Sequence, residues 1–101
     1  MSDGLAAEIM KVAKSELERA SAEFGDAFVN EHEAFAVIYE EYEEAEAEQK
    51  SFKKTFAEWW DMVKHGEGDA LMLGVMEAKA LNAAAEWAQV AAMCAKAARR
   101  M

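Results

Sequence analysis

The chain has no proline and only five glycines in 101 residues, and that shortage of punctuation constrains its fold more than any other feature. Strands need turns between them, and tight turns draw on Gly, Pro, Asn and Asp. Here Gly25 and the pair Gly66 and Gly68 are the clear breaks. Between them the chain is rich in Ala, Glu, Lys, Met and Leu, all good helix formers. The sequence therefore predicts an all-α chain, with residues 1–101 forming a single domain.

Helical spacing subdivides it. Leu5, Ile9, Val12 or Ala13, Leu17, Ala20 and Phe24 recur every three or four residues and predict a first helix over 3–23, with Gly25 as its stop. Asn30 has the character of an N-cap, and Glu33 stands where a capping box needs it. In the helix that follows, Phe35, Ile38, Tyr42 and Ala45 read as the buried stripe. No Gly or Pro marks that helix's end, so it either runs on or breaks near Gln49–Ser51. Phe52, Phe56, Trp59 and Val63 read as the stripe of a third helix over 52–64. After the His65–Asp69 break, Asp69 caps a last helix from Ala70 to about Ala98. That helix is apolar over most of its circumference, the pattern of a central helix or of one buried between subunits.

Charge and cysteine content exclude several functions. A net charge of −9 argues against nucleic-acid binding, which depends on Lys and Arg neutralising phosphates. A single cysteine, Cys94, rules out a disulfide framework and a Cys-rich zinc site; in its Ala/Met surroundings it is expected to pack as a small hydrophobe. Met62, Met72, Met76 and Met93 are expected in the core, and Lys79 and Lys96 on the surface. No apolar run approaches the ~20 residues of a membrane span. The first residues lack the pattern of a signal peptide, so a cytoplasmic location is expected. Gly66-Glu67-Gly68 is too short and too acidic to cradle a phosphate.

That leaves carboxylates. His32 to Glu48 crowds them into one helix, where Glu41, Glu44 and Glu48 form a ridge beside the apolar stripe. Two Glu at i and i+3 lie close enough to share a divalent cation. An acidic ridge is also what any solvated helix face looks like, and spacing alone does not separate the two.

The stretch from His32 to Glu40-Glu41-Tyr42-Glu43-Glu44 resembles the first motif of the MazG-like all-α nucleoside triphosphate pyrophosphohydrolases, a His leading into Glu-Glu-x-x-Glu. Glu86-Trp87-Ala88-Gln89 and the residues to Met93 are similar to the second motif, usually Glu-x-x-Asp. The resemblance spans roughly residues 24–97. It implies a four-helix MazG-like bundle completed by oligomerisation as a homodimer or homotetramer. It implies a Mg²⁺ site, with Mn²⁺ as an alternative, held by Glu41, Glu44 and Glu86, with Gln89 where the family has Asp. Glu40 is implied as the group that orients or deprotonates the attacking water. The implied activity is hydrolysis of a nucleoside triphosphate to the monophosphate and pyrophosphate. Two departures stand out. Gln89 removes a charge from the cation site, and Glu58-Trp59-Trp60-Asp61 also reads Glu-x-x-Asp at a more usual distance from Glu44. Glu58 and Asp61 therefore remain an alternative to Glu86 and Gln89. A catalytically decayed helical interaction module on the same fold remains an alternative to the enzyme.

Overall fold

A computed structural model describes residues 3–24 and 27–99, without the side chains of residues 3, 20 and 22–24. The expectations for Ala20, Phe24 and Gly25 lie outside what is described. Three helices account for nearly all of it: α1 (Asp3–Phe24), α2 (Glu31–Lys64) and α3 (Ala70–Ala98). No described residue is in a strand. No described helix is long and apolar enough to cross a membrane.

The second and third expected helices are one. α2 runs 34 residues without interruption, about 50 Å at 1.5 Å per residue. The physical reason is that residues 49–51 carry no helix breaker and both ends are held. Asn30 Oδ1 accepts from the Glu33 amide at 2.9 Å, and Glu33 Oε1 accepts from the Val29 amide at 3.1 Å. At the other end Gly66 turns the chain with φ of 72°, a left-handed conformation that costs glycine little. Asp69 Oδ1 then accepts from the Leu71 amide at 2.7 Å and starts α3.

α3 is the central helix. It packs along α2 and, on another side, against α1, so that it bridges the two. Its contact with α2 follows two interleaved heptad rows. On α2 the rows are Ala34, Glu41, Glu48, Thr55 and Met62, alternating with Ile38, Ala45, Phe52 and Trp59, all of them buried or half-buried. On α3 they are Met72, Lys79, Glu86 and Met93, alternating with Met76, Ala83, Val90 and Ala97. Steps of three and four average 3.5 residues, the period that lets two helices stay in register by coiling left-handedly.

This seam is not the stripe the spacing suggested. Ala45 is fully buried and Ile38 half-buried, but Phe35 is 68% and Tyr42 39% exposed. In the same way Phe52 and Trp59 are half-buried while Phe56 and Val63 are exposed. The expected stripes straddled two adjacent rows of α2. The buried positions on α2 are the small residues Ala34, Ala45 and Thr55, and the rings lie to one side. Met76 and Met93 are buried and Met62 and Met72 half-buried, in keeping with gap-filling by methionine.

α1 docks Ala13 and Leu17, rather than Val12, against Ala92 and Met93, and Phe28 and Ala34 close the same cluster. Cys94 is exposed instead of packed. The molecule measures 55 × 29 × 22 Å with a radius of gyration of 17.1 Å, against about 13 Å for a compact chain of 100 residues. Among the described residues no large side chain is fully buried.

Candidate metal centre

The seam carries two polar layers. Thr55 is buried, and its Oγ1 accepts from Lys79 Nζ at 2.6 Å. Lys79 is thus half-buried and engaged rather than a free surface cation. Lys96 also departs from expectation: it is only 6% exposed, and its ammonium stands 4.4 Å from the centroid of the Phe28 ring. An ammonium over a ring face is held by the ring quadrupole, and its long stem covers apolar surface.

The second polar layer is acidic. Glu41 and Glu86 are half-buried at heptad positions on facing helices, and Glu44, one turn beyond Glu41, is exposed beside them. One carboxylate oxygen from each of the three lies within 4.8 Å of the others. Burial pushes the Glu41 carboxyl above its ordinary value, and the charges of Glu44, Glu86 and Glu40 push it further. Burial likewise raises Glu86, followed by the charges of Glu44 and Glu48. Both shifts have the sign of negative charge held together without a counter-charge. No ion pair found among the described residues involves Glu41, Glu44 or Glu86.

The remaining candidates fall elsewhere. Glu40 is exposed next to Glu41 in sequence, and His32 is exposed in the first turn of α2. Glu58 and Asp61 are exposed, lie outside the cluster, and Asp61 pairs with Lys64 at 3.5 Å. Of the two Glu-x-x-Asp-like pairs, α3 brings its own Glu86 to the Glu41 and Glu44 ridge. Gln89 is half-buried and stands near Glu16 of α1. Glu16 accepts from Arg19 at 2.9 Å. The Arg19 bond and then the Gln89 amide hold Glu16 below its ordinary value. Sequence reasoning missed Glu16, because an exposed-looking Glu on a first helix gives no sign of what α3 will set against it.

The donor set suits a hard divalent cation. Mg²⁺ takes oxygen ligands at 2.0–2.1 Å, so oxygens on opposite sides of it are about 4.2 Å apart. Adjacent oxygens are about 2.9 Å apart, and at least two of the three pairs must be adjacent, so the three carboxylate oxygens, within 4.8 Å of one another, would have to draw together around the ion. The opening faces away from the exposed rings: Glu44 and Tyr42 are two residues apart, which is about 200° round a helix at 100° per residue. Tyr42 and Trp87 touch edge to face on the other side of the seam, with centroids 6.1 Å apart.

No protein family, no characterised protein and no solved structure matches the chain.

Proposed function

We propose that the protein is a Mg²⁺-dependent hydrolase that cleaves a nucleoside triphosphate between its α- and β-phosphates. The convergence of Glu41, Glu44 and Glu86 from two helices carries this reading, together with the resemblance of the two motifs. The three carboxylates would hold Mg²⁺, or Mn²⁺, against the triphosphate. Bound there, the ion would neutralise phosphate charge and polarise the phosphorus for attack. Glu40, exposed beside the three, would orient the attacking water and take its proton. The products would be the nucleoside monophosphate and pyrophosphate. In this reading the protein works as a homodimer or homotetramer, and the four-helix bundle forms from the α2–α3 hairpins of two copies.

The test is pyrophosphate release across a panel of ordinary and modified nucleoside triphosphates, with Mg²⁺ and then Mn²⁺. Turnover that disappears in Glu41→Gln and Glu86→Gln supports the assignment. Silence across the panel from folded protein overturns it.

One observation favours a second reading. Gln89, at the family's usual Asp position, stands near Glu16 and adds no charge to the cluster. A binding module with a decayed metal site would have that feature. Titration of Mn²⁺ separates the two: stoichiometric binding abolished by Glu41→Gln argues against decay.

A further inference from the structure

α2 carries a second heptad row whose apolar residues are exposed, although Tyr42 touches Trp87 of α3 at its edge. It lies one residue on from the row that faces α3. Its first third is Phe35, Tyr39 and Tyr42, and its last third is Phe56, Trp60 and Val63, all exposed. Gln49 and Lys53, both exposed, fill the middle with Glu46, which is half-buried and held within its own helix by Lys50 and the Tyr42 hydroxyl. The steps alternate four and three throughout, as regularly as in the row that is buried. A 3.5-residue repeat sustained over four heptads is the pattern of a helix–helix seam, and this helix has two of them.

The row is also close to palindromic. Read from either end it runs apolar, charged, Gln49, charged, apolar, with Glu46 and Lys53 at mirrored places. A two-fold axis near Gln49 would lay α2 antiparallel on the α2 of another copy. Apolar thirds would then meet apolar thirds, and Glu46 would lie beside Lys53 of the partner subunit. Self-complementarity of this kind is what a two-fold interface requires. Lys53 forms no ion pair with any described residue of its own chain.

The area is sufficient. Phe35, Tyr39, Tyr42, Phe56, Trp60 and Trp87 are 39–68% exposed and lie on one side of the hairpin. At roughly 200 Å² per aromatic side chain, their exposed parts amount to on the order of 600 Å² of ring surface. A stable interface buries about 800 Å² per partner, and Val63 and Leu73 extend the same face. We infer that this face binds a second copy of the chain, with the two α2 helices antiparallel across a two-fold axis near Gln49. The pairing does not depend on the catalytic reading, and it leaves the carboxylates on the open side of the hairpin.

Sedimentation equilibrium and a charge swap test it. The native chain is expected to be dimeric or a multiple of a dimer at micromolar concentration. Lys53→Glu sets like charges together in both halves of the interface and should weaken association at least tenfold; Glu46→Lys alone should do the same. The double variant Glu46→Lys with Lys53→Glu should restore association, a rescue that only self-pairing produces. In a Cys94→Ala background, Gln49→Cys should form a disulfide between copies under mild oxidation. A monomer at all concentrations, or an oligomer indifferent to both single reversals and not cross-linked at residue 49, overturns the inference. Circular dichroism confirms that each variant is helical. Pyrophosphate release is read separately, so that a dimeric protein without turnover defeats the catalytic proposal alone.

Discussion

Replacing Glu41 by Gln should make the protein more stable at neutral pH. The change keeps size and helix propensity nearly constant and removes one charge from three that lie within 4.8 Å. Two unit charges at that separation repel by about 1 kcal/mol in water and about 3 kcal/mol at an effective dielectric constant of 20. Glu41 has two such neighbours, but Glu44 is exposed and salt screens the site, so the low end applies. A gain of about 1–2 kcal/mol at low ionic strength is expected, and each kcal/mol corresponds to a rise of about 4–8 °C in Tm for a domain of this size. The pH dependence has a definite sign. Burial and neighbouring charge raise the folded-state pKa of Glu41 and Glu86, so the folded chain holds these protons more tightly than the unfolded chain. Stability from these groups is therefore lost as pH rises through the raised folded-state values, and regained as pH falls toward the ordinary glutamate range. The advantage of Glu41→Gln should accordingly be largest near pH 7 and fade toward pH 5. Thermal unfolding at fixed protein concentration, at several pH values and two salt concentrations, measures this. Mg²⁺ or Mn²⁺ should stabilise the native chain and leave the variant nearly unmoved. A variant less stable than the native chain at pH 7, or one equally protected by the cation, would refute the reasoning.

Three other substitutions probe the frame that holds the site. Thr55→Val should cost about 1–3 kcal/mol in urea unfolding, because it leaves the half-buried Lys79 ammonium without its acceptor. Asn30→Ala should cost about 1 kcal/mol through loss of the cap on the Glu33 amide, and amide exchange should rise first in the opening turn of α2. Gly66→Ala should cost about 1 kcal/mol: a Cβ meets nothing within 4 Å there, so the penalty comes only from the positive φ.

What the sequence made legible was set by local chemistry. Asn30 and Asp69 signal helix starts because a cap needs only a side-chain oxygen and the amides just beyond it. Gly66 signals the hairpin for a similar reason. The Glu41, Glu44 and Glu86 grouping was legible only through the motif resemblance, since nothing in the spacing of Glu86 distinguishes it from Glu58. Which face of α2 is buried was not legible. Large apolar residues dominate a periodicity count, and on α2 they lie on the wrong row: Phe35 and Phe56 are exposed while Ala34, Ala45 and Thr55 are buried. A close helix pair selects small residues, and these carry little hydrophobic signal. Lys79 and Lys96 were misread for a related reason, because a lysine's exposure depends on a partner such as Thr55 or Phe28 that sequence distance hides.

The two polar layers of the seam bear on function in opposite ways. The Thr55–Lys79 layer satisfies itself, and a satisfied polar group in a heptad row fixes which layers face each other. The acidic layer has no counter-charge among the ion pairs of the described residues. It sets Glu41 against Glu86, both half-buried and both with raised pKa, in a row where an apolar pair would be the more stable choice. A counter-charge is not far away in sequence: Lys79 stands seven residues before Glu86 on the same helix, about 10 Å along its axis, yet it bonds Thr55 instead. A chain that leaves carboxylates in mutual repulsion while a seam lysine is held elsewhere accepts a stability cost at one place. Costs of that kind, set in an otherwise consistent seam, concentrate where a ligand repays them. On the proposed reading that ligand is a divalent cation, and the gain in stability expected from Glu41→Gln and the loss of cation protection in the same variant are two consequences of that single imbalance.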